Sequence, residues 1–528
     1  MQSHSQLSRS EQAVRSLGTS VLAFGWPMLL GLSVVPFLVR LLGSEAYGIR
    51  GLSMMLIGYV AVLDLGLNGA IIKLLAEYTA AEDAVAAEKL LRTTLLSHLV
   101  FGLVGGACIW GLAPWLSAAV FKVAVDLQAE TVWSFRLTGV GFVLSMLVGW
   151  GSAIPAGLQR FGIVNGVFIL QATLVSVGGL LAALLSFGLV GVVTANVAAN
   201  GVAAGVCFLI ARRLLPNIRL SPSLDWQMFK RAASFGAHMI VFRVFNAFYT
   251  QMDRMLIGIW LGTDYVAYYI VGYQAASLVQ QLSGRMMQII FPMSSELSAA
   301  CDRERLRHLF LRATNLCNVV GAGLAVPVIV LANPLLSYWM TPDFARYGAD
   351  TLRLLAVSFY LMGLTVVPNF VLPGIGLPRV VSTGAVITGT TSILFYWLFI
   401  QVWGISGVAA GAILSMVATN VYFLAESRRW VRVSLSEIGR VIWRPVAVAA
   451  SIGGLASVFV TPRVGNLGAV VLSGTALLCA YGISCLLVGV FTKEEKRIVW
   501  HTIRGVLADA RDTLRNRYRS GRAPRRSA

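Results

Sequence analysis

The sequence predicts an all-α polytopic membrane protein of about fourteen transmembrane helices, in which two parallel-repeat six-helix lobes enclose a central cavity and two helices follow. Three observations predict it: the composition, the apolar runs and an internal repeat. The chain is 57% hydrophobic and 12% charged, whereas soluble domains carry roughly 25% charged residues. A bilayer core about 30 Å thick needs about 20 apolar residues per helix. The chain supplies many such runs, which excludes a soluble protein.

The apolar runs predict the helices in chain order, with their centres near residues 28, 60, 105, 144, 174, 200, 248, 279, 322, 362, 390, 416, 450 and 479. The first run follows Arg9 and Arg15, and no small-residue cleavage site ends a short apolar core there. We therefore predict a retained first span rather than a signal peptide.

The net charge is +19, and the basic residues are concentrated in alternate loops between the apolar runs. Loops near 188, 262, 404 and 464 are short and hold almost no Lys or Arg, whereas basic residues gather in 73–92, 212–231, 303–312 and 428–444. Cytoplasmic loops carry such an excess, so both termini are predicted to be cytoplasmic. This placement favours topology over nucleic-acid binding. The basic tail 493–528 either lies on anionic lipid or is disordered.

An internal repeat divides the chain. The matching segments, at offsets of 216 or 219 residues, are Leu42–Glu45 with Leu261–Asp264, Gly157–Arg160 with Gly376–Arg379, Gly188–Val192 with Gly404–Val408, and Arg212–Arg213 with Arg428–Arg429. The interval holds six spans, an even number, so both copies have one orientation. We predict an N-lobe at 1–220, a C-lobe at 221–432, two helices at 433–492 and a tail at 493–528. This architecture suits alternating access.

Two polar stripes interrupt the seventh and eighth spans. At 100° per residue, each falls within about 80° of its helix; the members are Arg243, Asn246, Thr250 and Arg254, then Gln274, Ser277, Gln281, Arg285 and Gln288. An ionisable residue inside a span costs at least about 2.5 kcal/mol. One interpretation is a cationic cavity for an anionic substrate, contacted by Arg243, Arg254, Arg285, Gln274, Gln281 and Asn246. The other is a structural network in which Asp253 neutralises an arginine.

An isolated carboxylate is predicted in the second span. Asp64 and Asn68 are four residues apart on one helical face, and Arg136 lies early in the fourth span. Asp64 either couples transport to protons or sodium, or it pairs with Arg136 or another cation.

Motifs for catalysis are absent from the sequence. It contains no phosphate-binding loop, no zinc-protease motif and no nucleophile elbow. The six cysteines form no CxxC pair, so they are interpreted as inert thiols. We therefore predict no enzyme, no metal site and no cofactor apart from a possible coupling ion.

Several segments resemble the bacterial polysaccharide flippases (Wzx-type, oligosaccharide flippase family) of the multidrug/oligosaccharidyl-lipid/polysaccharide exporter superfamily. The segments are Val35–Gly48, Leu63–Ala70, Gly157–Phe161 and Gln251–Tyr269. Arg40 and the pair Asp253–Arg254 match the family pattern. The resemblance implies twelve to fourteen helices in two lobes and flipping of an undecaprenyl-pyrophosphate-linked oligosaccharide to the outer leaflet, driven by an ion gradient.

The resemblance also implies a cellular location and partners, and two other functions are kept as alternatives. It places the chain in a bacterial inner membrane with membrane lipids, a lipid-linked oligosaccharide, and a polysaccharide polymerase and glycosyltransferases as partners. An ion-coupled multidrug exporter of the same fold is the first alternative, although acids rather than arginines are expected in its cavity. A membrane glycan polymerase or ligase is the second. It is expected to carry a large external loop, whereas the predicted external segments 117–131 and 338–350 are short.

Overall fold

The computed structural model describes residues 25–64 and 66–491, with the side chains of 235–243 excepted. Three predicted features therefore lie outside the described residues: Arg9 and Arg15 before the first span, the tail 493–528, and the side chain of Arg243. The described part contains helices and no strand. The helices are α1 Gly25–Leu42, α2 Ser44–Val60, α3 Leu67–Ala80, α4 Ala84–Trp115, α5 Val125–Gly157, α6 Phe161–Leu184, α7 Gly188–Leu214, α8 Trp226–Trp260, α9 Thr263–Met286, α10 Ile290–Ala299, α11 Arg303–Val330, α12 Ala332–Trp339, α13 Pro342–Gly374, α14 Pro378–Trp430, α15 Leu435–Phe459 and α16 Leu467–Leu487.

The all-α polytopic membrane fold is confirmed. Eleven helices in the described part are long and apolar enough to cross a membrane. Every predicted centre falls within a helix, and the two near 390 and 416 share α14, which is interrupted at Gly404. The polar helices α8 and α9 are not among the eleven. The number fourteen therefore stays a prediction.

The internal repeat is also visible in the backbone. Left-handed residues recur at corresponding loops, with φ of 83° at Gly43 and 102° at Gly262, and 61° at Gly188 and 56° at Gly404. Positive φ is a region that side chains with a Cβ rarely occupy, so the glycines of the repeated motifs are required by these turns. The division at residues 220 and 432 stays a prediction.

Carboxylates at the basic loops begin several helices. Asp83, Asp225 and Asp302 are the N-caps of α4, α8 and α11, where each accepts a hydrogen bond from a backbone N–H three residues on. The hydrogen bond from Met228 and the nearby Lys89 ammonium hold the pKa of Asp225 below its ordinary value. These caps satisfy backbone N–H groups in the first turns of α4, α8 and α11.

The helices pack in two groups that meet at α2, α8 and α9. In the first group α5 packs on α4 and α7, and in the second α13 packs on α9, α11 and α14. The contacts between groups join α2 to α9 and α8, and α3 and α4 to α8. Helices α15 and α16 pack on α11.

One buried amide attaches α15 to the second group. Pro445 lacks an N–H, so the Val441 carbonyl has no partner in its own helix. Asn318, fully buried in α11, donates Nδ2 to the carbonyls of Val441 and Ile442 at 2.9 Å each. The carbonyl that Pro445 leaves without a partner in α15 is thereby hydrogen-bonded by Asn318 of α11.

Candidate functional site

A cavity of about 300 Å³ lies between the two helix groups. One wall comes from α9 and the other from α1 and α6. Four of the five residues of the predicted eighth-span stripe line it: Gln274, Ser277, Gln281 and Arg285. The structure thus places this stripe at an interface between helix groups, as a cavity wall; binding of substrate by these residues stays a prediction.

The two walls differ in polarity. On α9, Gln281 Nε2 donates to Ser277 Oγ at 2.9 Å, and Ser277 Oγ donates to the Gln274 carbonyl at 2.9 Å. Arg285 lies two turns from Ser277, and its side chain is exposed. The facing wall is apolar, from Pro27, Met28, Gly31, Leu32 and Phe168. The cavity therefore suits a molecule that has both a charged group and an apolar part.

Arg254 of α8 belongs to a separate, packed network. Its Nη1 donates to Gln251 Oε1 at 3.3 Å, and its guanidinium lies 4.8 Å from the centroid of the Tyr273 ring. Asp253 is 1% exposed and accepts a hydrogen bond from the Arg254 backbone N–H. Of the two interpretations, the structural network fits these two residues better.

Among the described side chains, Asn246 of the α8 stripe lines a different cavity from the α9 stripe. Asn246 lines a different cavity of about 330 Å³, within the second helix group, together with Tyr249 and Asn369. The reason is that α8 packs more extensively on α14 than on α9, so this part of its polar face turns towards α13 and α14. The structure therefore separates Asn246 from the α9 stripe, and substrate binding by Asn246 stays a prediction. The side chain of Arg243 lies outside the described side chains.

Asp64 lies at a break in the second span. A 3₁₀ turn, Ala61–Asp64, follows α2, and α3 begins only after Gly66, which has φ of 77°. His98 of α4 places Nε2 3.1 Å from Asp64 Oδ1 and 3.2 Å from Asn68 Oδ1. Both charged side chains are buried, with Asp64 4% and His98 1% exposed. The sequence interpretation missed His98, because spacing along one chain does not show which helices adjoin.

The hydrogen bonds of His98 orient its ring towards Asp64. Its Nδ1 lies 2.7 Å from the Thr94 carbonyl, which only accepts. Nδ1 therefore carries a hydrogen, and Nε2 faces the Asp64 carboxyl. The ring nitrogen and the carboxyl group are therefore close enough to share a proton.

Arg136 does not reach Asp64 in this arrangement. Its guanidinium lies 5.5 Å from the Trp110 ring centroid and 5.3 Å from that of Trp133. Both indoles are exposed on the outside of the bundle. In this structure Arg136 makes cation–π contacts with these indoles rather than an ion pair with Asp64.

The two copies of one repeated motif meet at the end of the bundle opposite the basic loops. Ser44 Oγ donates to the Asp264 carboxylate, and Thr263 Oγ1 donates to Glu45 Oε1 at 3.4 Å. Each copy thus supplies one hydroxyl and one carboxylate to the other. A Cβ on Gly48 would lie 1.8 Å from the Thr263 carbonyl oxygen. We call Ser44, Glu45, Gly48, Thr263 and Asp264 the glycine seal.

Arg40 and Trp339 reinforce this closed end. Arg40 Nη2 donates to the Met340 carbonyl at 3.1 Å, and Trp339 Nε1 donates to the Leu32 carbonyl at 2.9 Å. These bonds join α1 to α12 and to Met340, the residue that follows α12. Arg40, which matches the family motif, therefore has a structural contact between the two helix groups.

Two curated relatives of the chain are named as a putative transporter and a probable flippase. It is 22% identical over 371 residues to a putative O-antigen transporter of Shigella flexneri, covering 68% of this chain and 84% of the relative. It is 22% identical over 391 residues to a probable low-salt glycan biosynthesis flippase, Agl15, of Haloferax volcanii, covering 73% and 77%.

Solved structures show the same fold. A lipid II flippase, MurJ, in an inward closed conformation has a TM-score of 0.71 at 13% identity, over 89% of this chain and 98% of that one. An inward-facing MATE family multidrug resistance transporter of the MOP superfamily has a TM-score of 0.66 at 17% identity, over 80% and 99%. The family model described as polysaccharide biosynthesis protein matches residues 37–347, more than half of the chain. The chain therefore has the fold of these solved structures and belongs to the polysaccharide biosynthesis protein family.

Proposed function

We propose that this protein flips an undecaprenyl-pyrophosphate-linked oligosaccharide from the cytoplasmic to the outer leaflet for surface polysaccharide synthesis. The observation that carries the proposal is the cavity between the helix groups, with a polar, arginine-bearing wall on α9 and an apolar wall on α1 and α6. A lipid-linked sugar phosphate has an anionic group, hydroxyls and hydrocarbon in one molecule. The named functions of the relatives support the same substrate class.

The geometry suggests how the transport cycle runs. Arg285 binds the pyrophosphate through charge-assisted hydrogen bonds, which a guanidinium makes in pairs. Gln274 and Gln281 bind polar groups beside it. The glycine seal closes the opposite end while the substrate enters. Separation of α2 from α9 then opens that end, which is alternating access. The positive-inside distribution orients the basic end towards the cytoplasm.

Transport of a defined substrate tests the proposal. Purified protein in vesicles is given a fluorescent undecaprenyl-pyrophosphate oligosaccharide, and the label that becomes accessible outside is measured by quenching. We expect flipping above that of protein-free vesicles. Export of cationic drugs without lipid flipping would instead support the multidrug exporter, and lengthening of the glycan would support the polymerase or ligase.

We further propose that Asp64 and His98 couple transport to protons. The two side chains are buried together at a helix break, and broken helices in transporters commonly hold coupling ions. Asp64→Asn removes the acid but keeps the shape. We expect the pH dependence of flipping in Asp64→Asn to differ from that of the wild type, because the carboxyl group that faces His98 is lost.

The control for the coupling test is Glu82→Gln, which removes an exposed carboxylate from the turn after α3. It should retain the wild-type pH profile. A wild-type profile in Asp64→Asn as well would remove Asp64 from the coupling mechanism while leaving the flippase proposal intact, because flipping itself is measured separately.

A further inference from the structure

One arginine of α5 lies on the outer surface of the membrane-spanning bundle. On that helix Arg136 is flanked by Trp133, one turn before it, and by Val140, one turn after it, whose side chains are 52% and 40% exposed. Trp110 of α4 adjoins Trp133 and is 42% exposed. Both helices are long and apolar enough to cross a membrane, so this face meets lipid. Arg136 therefore places a cation at a lipid-facing surface.

The guanidinium of Arg136 is only partly satisfied by the protein. It lies between the rings of Trp110 and Trp133, which attract its charge but accept none of its five N–H hydrogens in a conventional hydrogen bond. Its Nε is buried and has no hydrogen-bond partner, and no carboxylate of the described residues forms an ion pair with it. A cation in a membrane span is unfavourable unless an anion or water meets it. The arrangement therefore calls for an anion from outside the chain.

The depth of Arg136 matches that of lipid headgroups. Helix α5 begins at the end of the bundle that holds the glycine seal, because its N-cap Ala124 lies beside Glu45. It has 33 residues and is about 50 Å long, so a centred helix extends about 10 Å beyond each side of a hydrocarbon core about 30 Å thick. Arg136 follows Val125 by about 16 Å, which puts its backbone about 6 Å inside that core.

The side chain of Arg136 covers the remaining distance. Side chains on a helix lean towards its N-terminus, and the contact of Arg136 with Trp133, one turn earlier, shows that lean. The guanidinium is thus directed towards the headgroup layer at the seal end of α5. Tryptophan is enriched at the same depth, where its ring is in contact with both hydrocarbon and headgroups.

Close packing of α4 on α5 holds the two indoles in place. A Cβ on Gly139 would lie 2.6 Å from the Gly106 carbonyl oxygen, and a Cβ on Gly106 would lie 2.7 Å from the Gly139 carbonyl oxygen. The backbones therefore touch within about one turn of Trp110 and Arg136. The ring centroids of Trp110 and Trp133 are 6.4 Å apart at an interplanar angle of 90°. The site is formed by the fold itself, before any ligand binds.

We propose that Arg136, Trp110 and Trp133 bind the headgroup phosphate of an anionic phospholipid in the leaflet at the seal end. The guanidinium donates paired, charge-assisted hydrogen bonds to the phosphate oxygens, while the indoles pack against the glycerol and the first methylenes of the acyl chains. A net negative headgroup is favoured because the ammonium of a zwitterionic lipid is repelled by the same arginine. The site lies on the outside of the first helix group and does not depend on the proposed flippase function.

Photo-crosslinking of a lipid tests the site in the full-length protein. The protein is placed in nanodiscs of phosphatidylcholine with phosphatidylglycerol that carries a diazirine on its headgroup, and cross-linked peptides are identified by mass spectrometry. We expect label on the peptides that contain Trp110 and Trp133. Half-maximal labelling should require an at least about tenfold higher fraction of phosphatidylglycerol in Arg136→Gln. The same labelling of these peptides in Arg136→Gln and wild type would overturn the proposal.

Two comparisons make the cross-linking specific. Arg346→Gln removes the same charge from an exposed arginine of α13 that lies 5.4 Å from the Tyr347 ring, and it should be labelled at Trp110 and Trp133 as wild type. Undecaprenyl phosphate is the competing anionic lipid. If it prevents labelling at a fraction about tenfold lower than unlabelled phosphatidylglycerol does, the site holds the carrier lipid and the phospholipid proposal is wrong.

Thermal unfolding provides a second readout that does not depend on the cross-linker. A ligand that binds the folded state stabilises it, so phosphatidylglycerol should raise the melting temperature of the wild type above its value in phosphatidylcholine alone. We expect a smaller rise in Arg136→Gln and an unchanged rise in Arg346→Gln. An equal rise in all three proteins would show that phosphatidylglycerol acts elsewhere on the surface.

Discussion

Arg285→Glu is expected to abolish surface polysaccharide without lowering the amount of protein in the membrane. Among the described residues, Arg285 is the one arginine that lines the cavity. The substitution replaces a positive charge that attracts pyrophosphate by a negative charge that repels it. A hydrogen bond to a charged group contributes about 1.5–3 kcal/mol, so losing the contact alone slows flipping by roughly tenfold to a hundredfold. Complementation of a flippase-deficient strain and the vesicle assay both measure the effect.

Two variants make the Arg285 result specific. Arg303→Glu reverses an exposed charge at the same end of the bundle but outside the cavity, and it should behave as wild type. Arg285→Lys keeps the charge and loses the planar fork of donors, so we expect an intermediate rate. Normal polysaccharide in Arg285→Glu would show that this arginine does not handle the substrate.

Gly48→Leu is expected to prevent closure of the glycine seal and to stop flipping. The Cβ atom of the new side chain would lie 1.8 Å from the Thr263 carbonyl oxygen, which is much shorter than a van der Waals contact. The obstacle is backbone, which a rotamer change does not move. The helices α2 and α9 must therefore separate by several ångströms, and the reciprocal bonds of Ser44 with Asp264 and of Thr263 with Glu45 are lost.

The state of the seal is measured directly by labelling. With Gln274→Cys in the cavity wall, a membrane-impermeant maleimide added from outside should react slowly when Gly48 is present and at least about tenfold faster with Gly48→Leu, since the separated helices admit water. Gly111→Leu is the matched control, because a Cβ there meets nothing within 4 Å. Slow labelling together with active flipping in Gly48→Leu would mean that this contact is not part of the gate.

Some functional residues were predictable because the signal is local. A cavity wall was one of two interpretations of the polar stripe on α9, and the structure places four of its residues in such a wall. The Leu-Gly motifs were matched as copies of an internal repeat, and Gly43 and Gly262 share positive φ. Neither inference required knowledge of a neighbouring helix.

Other residues were not predictable because their role depends on contacts distant in sequence. His98 meets Asp64 from thirty-four positions away along the chain, and only the packing of α4 against the break in α2 joins them. The reciprocal bonding of Ser44 and Asp264 likewise required the crossing of α2 over α9.

The sequence by itself determined that this protein spans a membrane, how its basic loops alternate, and that its two halves repeat. These properties follow from the transfer free energy of apolar runs and from residue types in short windows, which act wherever the helices lie. The tertiary structure alone decided which side chains share a cavity. Asn246 and Arg254 lie on one predicted stripe of α8, yet Asn246 lines a cavity against α13 and α14 while Arg254 packs on Tyr273. A helical period fixes directions only about the helix's own axis, and the rotation of that axis is set by the packing of all its neighbours.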